Sequence, residues 1–283
     1  MSRIEKALEK AVKLRDSRPA VEPPKPEAAS NRQPLERKAV PGGRVEVRID
    51  SPYIVTLNDP ESPISEEYRK LKAMVVKLTK QGGFQNTIMV TSSLGLEGKS
   101  ITAINFAITL SREYDHTVLL MDADLRKPSL HRYFNIAPGA GLSDCIVDGL
   151  GVGEVIARTG MGKLSLLPAG RKVADPAELL SSRRMKDIIF ELKHRYADRY
   201  VVIDTPPILS FAETHSISSI VDGVVLVVRE GTASLQSINE ALDILRHGKV
   251  LGIVYNNAAI DDIAGRNNAR HYFSAHKETA RSD

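Results

Sequence analysis

Cysteine is scarce in this sequence: Cys145 stands alone among 283 residues. A single thiol cannot close an intrachain disulfide, which points to the chemistry of the cytosol. Long apolar runs are missing as well. No stretch reaches the roughly 18 apolar residues that span a bilayer, and the opening residues MSRIEKALEK lack an apolar signal core. Tryptophan is absent and aromatic residues make up only 5% of the chain. The net charge of +4 would suit nucleic acid or an anionic membrane face. Yet the basic residues are scattered with no aromatic platform beside them. They read as a solvated surface, and no nucleic-acid partner is expected. There is no internal repeat.

What is present divides the chain into parts. Residues 1–15 predict a short amphipathic helix. Ser2 and Glu5 fit a capping box, and Ile4, Leu8 and Val12 share one face. Such a length is marginal for a lone helix in water, so the segment is either a docking helix or a frayed terminus. Residues 16–60, with Pro23-Pro24-Lys25-Pro26, read as a Pro-rich flexible linker with a short edge strand near Val45–Ile49. Residues 61–258 read as a compact domain and 259–283 as a flexible tail. Within the domain, short apolar runs recur at Ile88–Val90, Val118–Met121, Leu164–Leu167, Val201–Ile203, Val224–Val228 and Val250–Val254. Helix-like segments separate most of them. Continuous apolar strands indicate a sheet buried on both faces, hence a doubly wound, mostly parallel α/β fold. Ligands of such sheets bind at the strand carboxyl ends.

The most informative stretch is Ser93-Leu94-Gly95-Leu96-Glu97-Gly98-Lys99-Ser100. It follows the apolar run Ile88–Val90 and precedes a helix-like run from Ile101. The pattern is G-x-x-x-x-G-K-[ST], with Ser93 in place of the first Gly. Loop N–H groups and a helix N-terminus would converge on a polyphosphate. Lys99 would reach the outer phosphates, and the Ser100 hydroxyl would ligate Mg²⁺. The candidate nucleotide-binding residues are therefore Ser93, Gly95, Glu97, Gly98, Lys99, Ser100 and Ile101.

Two apolar runs end in acids. Thr117–Met121 leads into Asp122-Ala123-Asp124, followed by Arg126-Lys127-Pro128. Asp122 and Asp124 share a side if the strand continues through both. Tyr200–Ile203 leads into Asp204, and Pro206-Pro207 then bar further strand. Mg²⁺ wants hard oxygen ligands, commonly through its waters. A further carboxylate can accept a proton from an attacking hydroxyl or orient a water.

Thr91–Ser100, Val118–Pro128 and Val201–Pro207 together resemble the Walker A, A′ and B segments of the bacterial tyrosine kinases, cytoplasmic autokinases of exopolysaccharide and capsule assembly. The resemblance covers residues 61–258 and includes Pro176-Ala177-Glu178-Leu179-Leu180. The start Met1–Leu8 with its Pro-rich sequel is similar to the branch linked to exosortase loci. The resemblance implies ATP and Mg²⁺ as cofactors. It implies Lys99, Asp122, Asp124 and Asp204 as catalytic residues, with Asp122 as base. Ser100, Asp122 and Asp204 would hold the metal, partly through water, and Asn256 would recognise adenine. It implies a homo-oligomeric ring through an E-x-x-R-x-x-R motif, matched here by Glu66, Arg69 and Lys72. It further implies a separate membrane-spanning polysaccharide co-polymerase as partner, holding the chain at the inner face of the membrane.

Two departures stand out. Leu96 occupies a position where the family has Gly, and Gly95 is expected to reshape the turn instead. The family's tail carries a tyrosine cluster, but of the eight tyrosines here only Tyr272 follows Asn256, which makes it the expected phosphosite. Two alternatives stay open. One is a switch ATPase of the partition and division type, although Leu94 stands where those carry a signature lysine. The other is a nucleotide-binding regulatory subunit of the co-polymerase with little kinase activity.

Overall fold

The computed structural model of this chain describes residues 51–80, 83–196, 198–246 and 248–258. The expected helix at 1–15, the strand near Val45–Ile49, most of the linker, and the tail with Tyr272 lie outside them. Among the described residues, seven strands form one sheet in the order β3-β4-β2-β5-β1-β6-β7. They are β1 (Thr87–Ser92), β2 (Thr117–Asp122), β3 (Ala157–Arg158), β4 (Leu164–Leu167), β5 (Arg199–Asp204), β6 (Gly223–Arg229) and β7 (Val250–Asn256). All pairings are parallel except β3 with β4. Each of the six apolar runs lies inside a parallel strand. The short edge strand β3 was not expected, because Ala157-Arg158 carries no apolar run.

Strand side chains alternate between faces, and the core divides accordingly. Met89, Leu119, Met121, Val201, Ile203, Leu226 and Val228 point to one face. That face is covered by α5 (Leu142–Val147), α6 (Val152–Val155), α7 (Pro176–Ser181), α8 (Arg183–Arg195), α9 (Ala212–Ser218) and α10 (Leu235–Leu245). Ile88, Val90, Val118, Leu120, Tyr200, Val202, Val225 and Val227 point to the other. The helices there are α1 (Val55–Asn58), α2 (Pro63–Thr79), α3 (Lys99–Ser111) and α4 (Leu130–Tyr133). Local chemistry marks the helix starts. Ser62 caps α2 through the Ser65 N–H with Pro63 at the first position, and Asp175 caps α7 with Pro176 there.

One boundary shifts. The linker was expected to run through residue 60, yet Ile54 is fully buried in the second core. The Thr56 N–H and hydroxyl both donate to Asn105 Oδ1, at 3.0 and 2.9 Å. Asn105 Nδ2 donates to the Tyr53 carbonyl at 3.0 Å. Residues 53–58 are thus part of the packed domain. A single helical turn is too short for an apolar period to show.

Candidate nucleotide site

The sheet register brings the acids together. Asp122 and Asp204 are partners at the carboxyl ends of the neighbouring strands β2 and β5. On the far side of β5, β1 runs two residues further and delivers the loop that opens α3. β2 ends at Asp122, so Asp124 does not share a strand face with it as expected. A turn brings it back instead, and the Asp124 N–H donates to Asp122 Oδ1 at 3.2 Å.

Lys99 lies at the centre. Its Nζ donates to Asp124 Oδ2 at 2.7 Å, stands 3.6 Å from Asp204 Oδ1, and donates to the Ser100 hydroxyl at 3.1 Å. Burial opposes its charge, but Asp204 and Asp124 outweigh burial and hold its pKa above the ordinary lysine value. Asp122 is buried with both oxygens engaged. Oδ2 accepts from the Ser129 and Leu130 N–H groups at 3.0 Å each. Burial, reinforced by Asp204, pushes its carboxyl up to about 7 even against those N–H groups. That value suits a proton acceptor working near neutral pH. Asp204 is also held above the usual carboxylate range, chiefly by burial, with Lys99 opposing.

Asp204 has a further property. Both carboxylate oxygens are buried without a hydrogen-bond partner. The Asp204 charge is balanced by Lys99, whose Nζ stands 3.6 Å from Oδ1, and the acceptor capacity left over on a buried carboxylate is what a hard cation would take. Among the described residues no three His, Cys, Asp or Glu side chains converge as a metal cage. Mg²⁺ requires no such cage, because it takes one or two carboxylates plus phosphate oxygens and waters. The donor set at Asp204 and Ser100 fits it.

The loop solves the missing glycine at 96 without a left-handed Gly95. Gly95 does not take the left-handed conformation; Leu96 does, at φ 65° and 90% exposed. Gly98, at φ 91°, caps α3, and a Cβ there would come within 2.1 Å of Asn256 Nδ2. Asn256 Nδ2 donates to the Glu97 carbonyl at 2.8 Å, so this side chain braces the loop. Ser93 is buried with its hydroxyl unpartnered. The Ile101 side chain packs against the second core. The expected ring residues are occupied within the chain. Arg69 pairs with Glu66 and donates to the Pro60 carbonyl, and Lys72 pairs with Glu113.

The ParA family, described as "NUBPL iron-transfer P-loop NTPase", matches residues 83–282. The tyrosine-protein kinase YwqD of Bacillus subtilis is 32% identical over 205 residues, 72% of this chain and 85% of YwqD. The chain belongs to the bacterial tyrosine kinases, on a ParA-type P-loop fold. The BceF tyrosine kinase domain superposes with a TM-score of 0.63 at 30% identity, covering 71% of this kinase and 81% of that domain. The succinoglycan biosynthesis transport protein ExoP of Rhizobium meliloti is 29% identical over 214 residues, 74% of this chain but 27% of ExoP. Among the kinase's described residues no helix is long and apolar enough to cross a membrane. Sequence reasoning missed the end of β6, where the Arg229 N–H donates to Glu97 Oε1 at 3.3 Å. It also missed the ion pair of Arg126 with the buried Glu213. A backbone donor leaves no residue-type signal, and Glu213 lies 87 residues from its partner.

Proposed function

We propose that this kinase is an ATP-dependent tyrosine autokinase that regulates exopolysaccharide or capsule assembly and export. The observation that supports the reading is the buried carboxylate of Asp204, ion-paired with Lys99 and with no hydrogen bond to either oxygen, beside Ser100 at the mouth of a phosphate loop. Lys99 leaves Asp124 for the β- and γ-phosphates when ATP enters. The tyrosine hydroxyl attacks the γ-phosphorus as the bond to the ADP oxygen breaks, and its proton passes to Asp122. Ser100, Asp122 and Asp204 would hold Mg²⁺, partly through water; once bound, it neutralises charge on the transferring phosphate. Ser93, Gly95, Glu97, Gly98 and Ile101 shape the loop, and Asn256 closes it near the base.

The family relationship supports three further assignments. A ring forms through the α2 face of Glu66, Arg69 and Lys72, which exchange their intrachain partners for a neighbour's. Tyr272 is the tail phosphosite. A separate membrane-spanning co-polymerase recruits the kinase to the inner face of the membrane, a role consistent with similarity to part of a polysaccharide transport protein. The domain limits 61–258 serve as the catalytic unit, extended to residue 51 by the packing of Ile54. Incubation with labelled ATP and Mg²⁺, followed by phosphoamino-acid analysis, tests the reading. Phosphotyrosine in wild type and none in Lys99→Met is expected; ATP hydrolysis without phosphotyrosine would support a switch ATPase instead.

A further inference from the structure

We propose that Glu97 is a positioning residue, which closes the phosphate loop on its own first turn, staples it to the ends of two strands and does not itself touch the nucleotide. The inference rests on the nucleotide-site reading above. Glu97 is fully buried in the middle of the loop. Its Oε2 accepts the Leu94 N–H at 2.6 Å, two residues beyond β1. Its Oε1 accepts the Arg229 N–H at 3.3 Å, at the last residue of β6. Its backbone carbonyl accepts Asn256 Nδ2 at 2.8 Å, at the last residue of β7.

A negative charge among groups that must receive a polyphosphate opposes binding by Coulomb repulsion. What Glu97 supplies in return is geometry. Only an ionised carboxylate offers two acceptors to two amides while carrying no proton of its own. The clamp lies directly after Leu96, a left-handed residue with no glycine to ease it, whose carbonyl accepts from the Arg229 guanidinium at 3.4 Å. Closed on itself at Leu94 and held at two strand ends, the loop presents its remaining N–H groups without reorganising when ATP arrives. The leucine turn and the clamp therefore act as a unit.

The test uses the full chain as wild type, Glu97→Gln, Asn256→Ala and the double variant. Mant-ATP with Mg²⁺ is titrated, adenosine competes, and thermal midpoints are taken without nucleotide. The glutamine keeps the size of Glu97 but turns an amide donor toward one backbone N–H. ATP affinity is expected to fall about tenfold or more in Glu97→Gln, while adenosine affinity changes less than about twofold. The double variant should be little weaker than the stronger single, because both cut one staple. Wild-type ATP affinity in Glu97→Gln overturns the proposal. So does an equal loss for ATP and adenosine, which would mark base recognition or general damage. If Glu97→Gln does not fold, the same ATP-to-adenosine comparison on Glu97→Asp decides, because the shorter carboxylate keeps the charge but cannot reach both amides. A wild-type chain that binds no mant-ATP overturns the nucleotide-site reading itself, and this inference with it.

Discussion

Replacing Asp122 with Asn should stabilise the ligand-free kinase at alkaline pH and destabilise it in acid. Burial first, then Asp204, pushes the Asp122 carboxyl up to about 7 from its ordinary 3.8. Between those values the folded protein holds a proton that the unfolded chain has lost. Stability therefore falls as pH rises through that window and levels off above it. At about 1.36 kcal/mol per pKa unit, the ionised side chain costs up to about 4 kcal/mol at pH 8. An amide cannot ionise and escapes that cost. Its oxygen can keep the N–H groups of Ser129 and Leu130, but its NH₂ then faces the Asp124 N–H. That mismatch costs about 1–3 kcal/mol. The net expectation for Asp122→Asn is a gain of about 1–3 kcal/mol at pH 8 and a loss of similar size near pH 4. Urea unfolding of both proteins between those pH values, without nucleotide or Mg²⁺, measures the difference. A difference that does not vary with pH would refute the reasoning, because Asp122 would then titrate as an ordinary carboxylate.

Lys99→Met should lower phosphotransfer by about a hundredfold or more, read as phosphotyrosine formed per minute, because it removes the cation aimed at the outer phosphates. Gly98→Ala should cost about 2 kcal/mol or more in thermal unfolding, since its Cβ meets Asn256 Nδ2 at 2.1 Å and its φ is 91°. Arg69→Glu replaces an ion pair with repulsion toward Glu66 and should shift the assembly toward monomer; light scattering with ATP and Mg²⁺ gives the mass, and an unchanged mass leaves α2 a solvated face. Tyr272→Phe should abolish the main tail phosphopeptide in mass spectrometry, and equal phosphotyrosine in both proteins would exclude that site.

The strands were legible because burial on both faces leaves apolar runs that no helix of the same length would need. The phosphate loop was legible because Gly98, Lys99 and Ser100 each have a separate physical reason to be there. Other features were hidden for equally physical reasons. Nothing local says that β2 stops at Asp122, so whether Asp122 and Asp124 share a strand face stayed conditional until the fold showed that the strand ends. Gly95 was expected to reshape the turn in place of the glycine missing at 96, but it is Leu96 itself that takes the left-handed conformation, beside the hydrogen bond from the Leu94 N–H to Glu97. The pairing of Lys72 with Glu113 joins residues 41 apart and has no signature in the sequence. The burial of Asp204 with no hydrogen bond to either oxygen is a property of what surrounds it, which a residue type cannot express.

The short segment ahead of α2 decides where this protein can be cut. A chain begun at Glu61 would lose Ile54 from the core beneath α3. It would also strip Asn105 of the Thr56 and Tyr53 groups that satisfy its amide. Asn105 sits six residues beyond Lys99 on the same helix, so the vacancy would open one and a half turns from the phosphate loop. Excised catalytic fragments, fusions and crystallisation variants should therefore keep the residues from 51 onward, and a fragment trimmed to 61 would report on a loosened helix α3.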